Sequence, residues 1–205
     1  MTTAKSSSAK KAAPAAKKSP AKKVSPSSKV SPALKPRASS KDAIAILRAD
    51  HTLVSGLFAD YEKTKSAAKK KSLVAQICTE LSVHAQVEEE IFYPAFKAAL
   101  RDKEMVPEAT VEHATLKDLI AQVKGKEPDG EMFDAKIKVM SEYVKHHVKE
   151  EQNEMFPKAK KSKLDLVDLG AQILARKEEI KPGIEADAKI PSMSATIKST
   201  LGVAA

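Results

Sequence analysis

Tryptophan is absent from this 205-residue chain, aromatics make up only 4% of it, and there are only six glycines. β-Sandwiches and barrels draw on aromatic residues and glycine-rich turns, so the shortage argues for helices. A single cysteine, Cys78, excludes a disulfide within the chain. It follows Ile77 directly and is expected to pack as a small apolar residue. No apolar run is long enough to span a bilayer, and no h-region marks a secretory signal. These absences lead to the expectation of a cytoplasmic protein with no membrane contact.

Acid is also missing where base is plentiful. Residues 1–41 hold eleven Lys or Arg and no Asp or Glu, a local charge of +11 inside a chain total of +9. The rest of the chain is therefore close to neutral. Residues 1–40 are Lys, Ala, Ser and Pro in low-complexity order, with Ser-Pro at Ser19-Pro20, Ser25-Pro26 and Ser31-Pro32. Such a segment buries too little surface to fold by itself, so a disordered tail is expected. Its charge suits an arm for DNA or another polyanion, which would make the protein nucleoid-associated. Ser19-Pro20-Ala21-Lys22-Lys23 resembles the Ser-Pro-basic repeats of linker-histone tails. An organellar transit peptide is also acid-poor and Ser-rich, but favours Arg and an amphipathic helix over Lys and regular Pro.

Beyond the tail, apolar residues recur every three or four positions, the period of one helix face. A Ser39-x-x-Asp42 capping signal opens a first stripe of Ile44, Leu47, His51, Val54, Phe58 and Tyr61. The second stripe is Leu73, Ile77, Leu81, His84, Glu88, Ile91 and Ala95, on a helix expected to run to about Arg101. Pro107 suits the first turn of a third helix with Ala109, His113, Leu116, Ile120 and Val123. After the Pro128-Asp129-Gly130 turn, a fourth carries Phe133, Ile137, Met140, Val144, His147 and Glu151. Ser162-x-x-Asp165 caps a shorter fifth helix with Leu166, Leu169, Ile173 and Ile180 inward, and Pro182-Gly183 is expected to stop it.

These patterns predict an all-α fold: an up-and-down four-helix bundle over residues 41–160, an additional helix over 161–181 and a tail over 182–205. Helices two and four look like an internal repeat. Each has a His four residues before a Glu, and a Pro six after that Glu (Pro94 and Pro157).

Four of the five histidines fall on core stripes, one per helix, and both stripe carboxylates sit one turn after a His. Burying such groups unpartnered costs several kcal/mol, of order 3–5 for a broken buried pair. Up-down packing brings His51, His84, Glu88, His113, His147 and Glu151 to one level of the core. Four neutral nitrogen donors and two anionic oxygen donors match what a pair of iron ions prefers. Ferritin-like oxidases would need Glu-x-x-His pairs and zinc hydrolases His-Glu-x-x-His, and neither pattern occurs. His146 lies one step off the stripe and is read as exposed or as a neighbour of a ligand. Glu89, Glu90, Glu150 and Glu154 read chiefly as a solvated face.

The order His51, His84-Ala85-Gln86-Val87-Glu88, His113, His147-Val148-Lys149-Glu150-Glu151 resembles the hemerythrin-like, HHE cation-binding family over about residues 41–160. The resemblance implies a non-heme di-iron centre with the four His as terminal ligands and Glu88 and Glu151 bridging. Its implied partners are O2, peroxide or NO. One position departs: where oxygen-carrying hemerythrins have a second His one turn after the third-helix His, this chain has Lys117. Coordination positions then stay open unless Glu80, one turn before His84, or water fills them, which favours ligand reaction or iron handling over reversible oxygen storage.

Overall fold

The computed structural model describes residues 41–189, and they form helices joined by short turns. The all-α expectation holds. Helix α1 spans Ala43–Lys63 and α2 Ala67–Val87, which passes through a π-turn at Glu88–Phe92 into α3, Tyr93–Leu100. Helix α4 spans Met105–Val123. Helix α5, Glu131–Glu150, likewise passes through a π-turn at Glu151–Met155 into α6, Phe156–Lys161, and α7 spans Leu166–Lys189. The expected basic tail and the last fifteen or so residues lie outside the described range.

The capping signals work with a shifted role. Asp42 itself caps α1, accepting the Ala45 N–H at 2.7 Å. Asp165 does the same for α7, accepting from Asp168 at 3.0 Å, while Ser162 bonds Ala159 and Leu164 instead. In each Ser-x-x-Asp, the acid is the cap itself rather than the third residue of the helix.

Both π-turns sit where the two motif carboxylates begin them and a proline comes after. Pro94 and Pro157 lack an N–H, and the preceding amides, Tyr93 and Phe156, reach back five residues to Glu88 and Glu151. The extra residue rotates the helix beyond it. After Glu88 the buried positions are therefore Phe92, Tyr93 and Phe96, and the stripe expectation of Ile91 and Ala95 is corrected to half-buried flanks. After Glu151 the same shift buries Met155, Phe156 and Ala159.

Two apolar clusters result. One gathers the start of α1 (Ile44, Leu47), Phe92, Tyr93 and Phe96, the start of α4 (Val106, Ala109), Met155 and Phe156, and Leu169 and Ile173 of α7. The other gathers Val54, Phe58 and Tyr61 with Leu73, Ile77 and Leu81, Leu116, Ile120 and Val123, and Phe133, Ile137 and Val144. Helices α1 and α4 start in the first cluster, and the next long helix after each ends there, so the bundle runs up and down. Cys78 is buried in the second cluster, and burial pushes its thiol up to about 12.

Helix α7 differs from expectation in length. It is 24 residues long and continues through Pro182. Pro182 and Glu178, whose carbonyl loses its partner, are both exposed, so the lost bond costs little where the carbonyl is open to solvent. One turn's contacts hold the helix just before the break, with Ile180 against the first cluster and Lys181 paired to Glu80. Gly170 is required where α7 crosses the start of α1. A Cβ there would lie 2.5 Å from the Lys41 carbonyl oxygen.

Candidate metal centre

His51, His84, Glu88, His113, His147 and Glu151 lie at the seam between the two clusters, and all six are at most 5% exposed. Each helix contributes at the level where its stripe passes from one cluster to the other. The Nε2 atoms of His51 and His84 face each other at 3.1 Å, and those of His113 and His147 at 3.2 Å. Glu88 Oε2 stands 3.2 Å from His84 Nε2 and 3.5 Å from His113 Nε2. Glu151 Oε2 stands 3.2 Å from His51 Nε2 and 3.6 Å from His147 Nε2. Each carboxylate thus lies between the imidazole of its own helix and one from the other half of the chain.

The far side of every imidazole is also taken. Nδ1 of His84 meets Asp50 at 3.3 Å, Nδ1 of His113 meets Glu89 at 3.1 Å, and Nδ1 of His147 meets Glu112 at 2.6 Å. Nδ1 of His51 lies 3.2 Å from the Gln152 side-chain amide nitrogen. A carboxylate only accepts, so the Nδ1 atoms of His84, His113 and His147 carry a proton, and each imidazole in its neutral, ligating form turns an Nε2 lone pair inward. In that form the His113 and His147 lone pairs would oppose each other at 3.2 Å. Glu88 Oε1 is buried with no hydrogen-bond partner, and Glu151 Oε2 has no well-aligned one. Converging lone pairs and orphaned carboxylate oxygens repel one another unless cations stand among them. The residues present therefore fit a metal site. Two overlapping sets have their ligand atoms close enough to share an ion: His51, His84, Glu88 and Glu151, and Glu88, His113 and His147.

The family model for the hemerythrin HHE cation-binding domain matches residues 42–159, the span that carries all six of these side chains. The chain belongs to the hemerythrin HHE cation-binding family. A solved hemerythrin HHE cation-binding domain-containing protein from Mycobacterium kansasii has the same fold, with a TM-score of 0.60 at 20% identity. The superposition covers 79% of this chain and 94% of that one. A protein named DNA nickase from Nostoc sp. is 27% identical over 111 residues, 54% of this chain but only 31% of its own length. Among the described residues of this hemerythrin-like chain, no helix is long and apolar enough to cross a membrane.

The protein's own charges treat the two carboxyls oppositely. Burial alone would raise both. Glu151 is nonetheless held down at about 2 by contact with His51 and by the imidazoles of His147, His51 and His84. Glu88, desolvated and facing the charge of Glu151, is pushed well above the carboxylate range. Among the imidazoles, burial and the neighbouring His147 and His84 bring His113 down to about 3. Burial also lowers His84, outweighing the pull of Asp50. For His147 the balance reverses, because the bond to Glu112 and the charge of Glu151 outweigh burial and raise it.

Several residues take places that the sequence reading did not assign. Lys117 is no ligand. Its ammonium binds Glu89 at 2.6 and 2.7 Å, and Glu89 in turn holds His113, so Glu89 is part of the site's frame and not only a solvated face. Glu80 pairs with Lys181 and supplies no coordination position. His146 is exposed and pairs with Glu150. Asp50, Glu112 and Gln152 were passed over entirely, although Asp50 and Glu112 each immediately precede a stripe His. Tyr93 was also missed. Its hydroxyl lies 3.0 Å from Glu151 Oε1 and 3.4 Å from both Glu88 Oε2 and His113 Nε2. The π-turn, invisible to a fixed 3.6-residue period, is what turns it inward.

Proposed function

We propose that the chain holds a pair of iron ions, with His51, His84, His113 and His147 as terminal ligands and Glu88 and Glu151 bridging. In this reading it reacts with or senses O2, peroxide or NO, or handles iron under stress. One observation carries it: four imidazole Nε2 atoms and two carboxylates meet at one buried level while every Nδ1 is occupied on its other side. Bound iron would supply the electrons and the open positions for a small ligand.

The chain's own residues supply the rest. A cavity of about 20 Å³ abuts the imidazoles and is walled by Val54, Leu81, Leu116, Val144 and Val148. It is large enough for a water-sized guest, and its walls favour a small neutral molecule over an ion. Phe92, Phe96 and Phe156 pack in the first cluster, on the other side of the site. Phe156 stacks on His51 at 5.8 Å between ring centroids and Tyr93 on His113 at 5.4 Å, which fixes ring planes. Tyr93 donates its hydroxyl proton to Glu151, and the adjacent carboxylates and burial keep that phenol protonated.

The test is metal analysis of the purified, reconstituted protein, with absorption spectra before and after O2, peroxide and NO. About two irons per chain and a spectrum that responds are expected. Fewer than one iron per chain would overturn the reading. Replacing His84 or Glu151 by Ala should abolish binding of the pair.

A second, compatible reading assigns residues 1–40 to DNA or another polyanion. Ten positive charges without one acid support it, and one relative of the chain is a protein named DNA nickase. Affinity for duplex DNA that is lost on deleting residues 1–40 and falls steeply with salt is expected. No measurable affinity at low salt with the tail intact would rule it out.

A further inference from the structure

Helix α7 lies beyond residues 42–159, the span shared with the family model, yet it touches the frame of the site. Ile173 is fully buried in the first cluster, and Gly170 allows α7 to press on the start of α1. One turn after Ile173, Lys177 is set over α1, where its ammonium binds Asp50 Oδ1. The other oxygen of the same carboxylate takes the Nδ1 proton of His84 at 3.3 Å. Both members of the ion pair are largely covered, with side-chain exposures of 17% for Lys177 and 12% for Asp50. We infer that Lys177 is a positioning residue: through Asp50 it fixes the tautomer and ring orientation of His84, so that docking of α7 governs how firmly the His51–His84 half of the site retains its metal.

The physical reason is the geometry of one carboxylate shared between two donors. With Lys177 on Oδ1, Asp50 cannot swing away from His84 without leaving a covered ammonium unpaired. An imidazole whose Nδ1–H is anchored presents Nε2 as a lone pair in a fixed direction, and outer partners of this kind govern metal affinity about as strongly as some ligands. The other half has no counterpart from α7, and the lysine that stands behind a carboxylate there, Lys117 on Glu89, is 49% exposed. The equivalent carboxylate, Glu112, holds His147 through Oε2, while its Oε1 faces the exposed His146 at 3.8 Å. α7 therefore straps one half only.

The inference rests on the proposed metal reading, and its test separates the two. The full-length metal-loaded protein is mixed with excess chelator and release is followed by stopped flow. Lys177→Met is expected to release about half of the metal roughly tenfold faster, and Lys177→Arg to recover most of the wild-type rate. Lys181→Met, which removes the neighbouring ion pair to Glu80 on the same helix, should leave the rate unchanged. Adding Lys177→Met to Asp50→Asn should give no further acceleration, since the effect runs through Asp50. Equal acceleration by Lys181→Met, or an additive effect in the Asp50→Asn background, would show mere helix docking and overturn the inference. In metal-stripped protein, ring-nitrogen NMR reads His84 directly: the Nδ1-protonated tautomer is expected in wild type and a mixture in Lys177→Met. An unchanged His84 signal overturns the role of Lys177 whether or not the protein loads iron, whereas wild type that loads no iron removes only the metal reading.

Discussion

The two halves of the bundle repeat each other further than their shared His-x-x-x-Glu, and then diverge in charge. The residue before the first His of each half, Asp50 or Glu112, holds the second His of that half, His84 or His147. The residue after each motif Glu, Glu89 or Gln152, meets the first His of the other half, His113 or His51. Just past the end of each π-turn, an aromatic stacks on that same first His. The aromatic is Tyr93 in one half and Phe156 in the other. The frame is therefore twofold, while its electrostatics are not. One carboxylate is strapped by Lys177, while the other, Glu112, is equally covered but has only the exposed His146 near its free oxygen, at 3.8 Å. One motif Glu is driven up and the other is held down at about 2. Duplicated backbone geometry sets where the donors go, and single unmatched side chains set what each donor prefers.

The largest expected break in this likeness comes from the two motif carboxylates in metal-stripped protein. Glu151→Gln removes the buried anion that accepts from Tyr93 and lies 3.2 Å from His51 Nε2, and should cost about 3 kcal/mol in urea unfolding, the upper end for hydrogen bonds to a charged group. Glu88→Gln resembles the protonated acid already favoured there, and should cost less than about 1 kcal/mol. A carboxyl held below its ordinary range contributes stability above that range and loses it as pH falls toward about 2, so the Glu151→Gln deficit should shrink in acid. Equal costs for the two variants would show that the halves are electrostatically alike.

Next in size is the outer layer. Glu112→Gln leaves His147 without its charged acceptor and should weaken metal binding about 10–100-fold in a chelator competition. The loss should fall on the His113–His147 half, whereas Asp50→Asn should weaken the His51–His84 half. Loss of both ions together in either variant would mean that the halves bind as one unit.

Much of this was legible before any coordinates. The three-four stripes placed all six candidate donors at one level because side-chain direction on a straight helix is set by spacing alone. Three things escaped for physical reasons. A π-turn adds a residue to a turn, so the stripe past Glu88 was read one position off and Tyr93 was not seen. Asp50, Glu112 and Gln152 sit beside stripe residues, where a period-based reading expects solvent. Their partners are on other helices, and only packing shows them. Pro182 reads as a stop, but an exposed proline need not end a helix where the orphaned carbonyl is open to solvent.

Tyr93→Phe makes the two aromatic positions alike. It keeps the stacking on His113 and removes the hydroxyl within reach of Glu151, Glu88 and His113. The expected cost is about 1 kcal/mol of stability in the metal-stripped protein. Phe156→Tyr would not restore symmetry, because that ring stacks flat on His51 with an interplanar angle of 7°, against 30° for Tyr93 on His113. An unchanged unfolding midpoint for Tyr93→Phe would mean the phenol is a packing residue only.

The smallest effect belongs to Lys117, and its smallness is informative. Lys117–Glu89–His113 has the same chemical order as Lys177–Asp50–His84, a lysine behind a carboxylate behind an imidazole. The two differ in cover. Lys117 is 49% and Glu89 28% exposed at the side chain, against 17% and 12% for Lys177 and Asp50. Water can replace an exposed ammonium on Glu89 at little cost, and exposed pairs contribute about 0–1 kcal/mol. Lys117→Met should therefore change chelator-driven metal release by no more than about twofold, and high salt should mimic it. If it matched the roughly tenfold change expected for Lys177→Met, burial would not be what gives the strapped half its grip. The order of groups alone would then suffice.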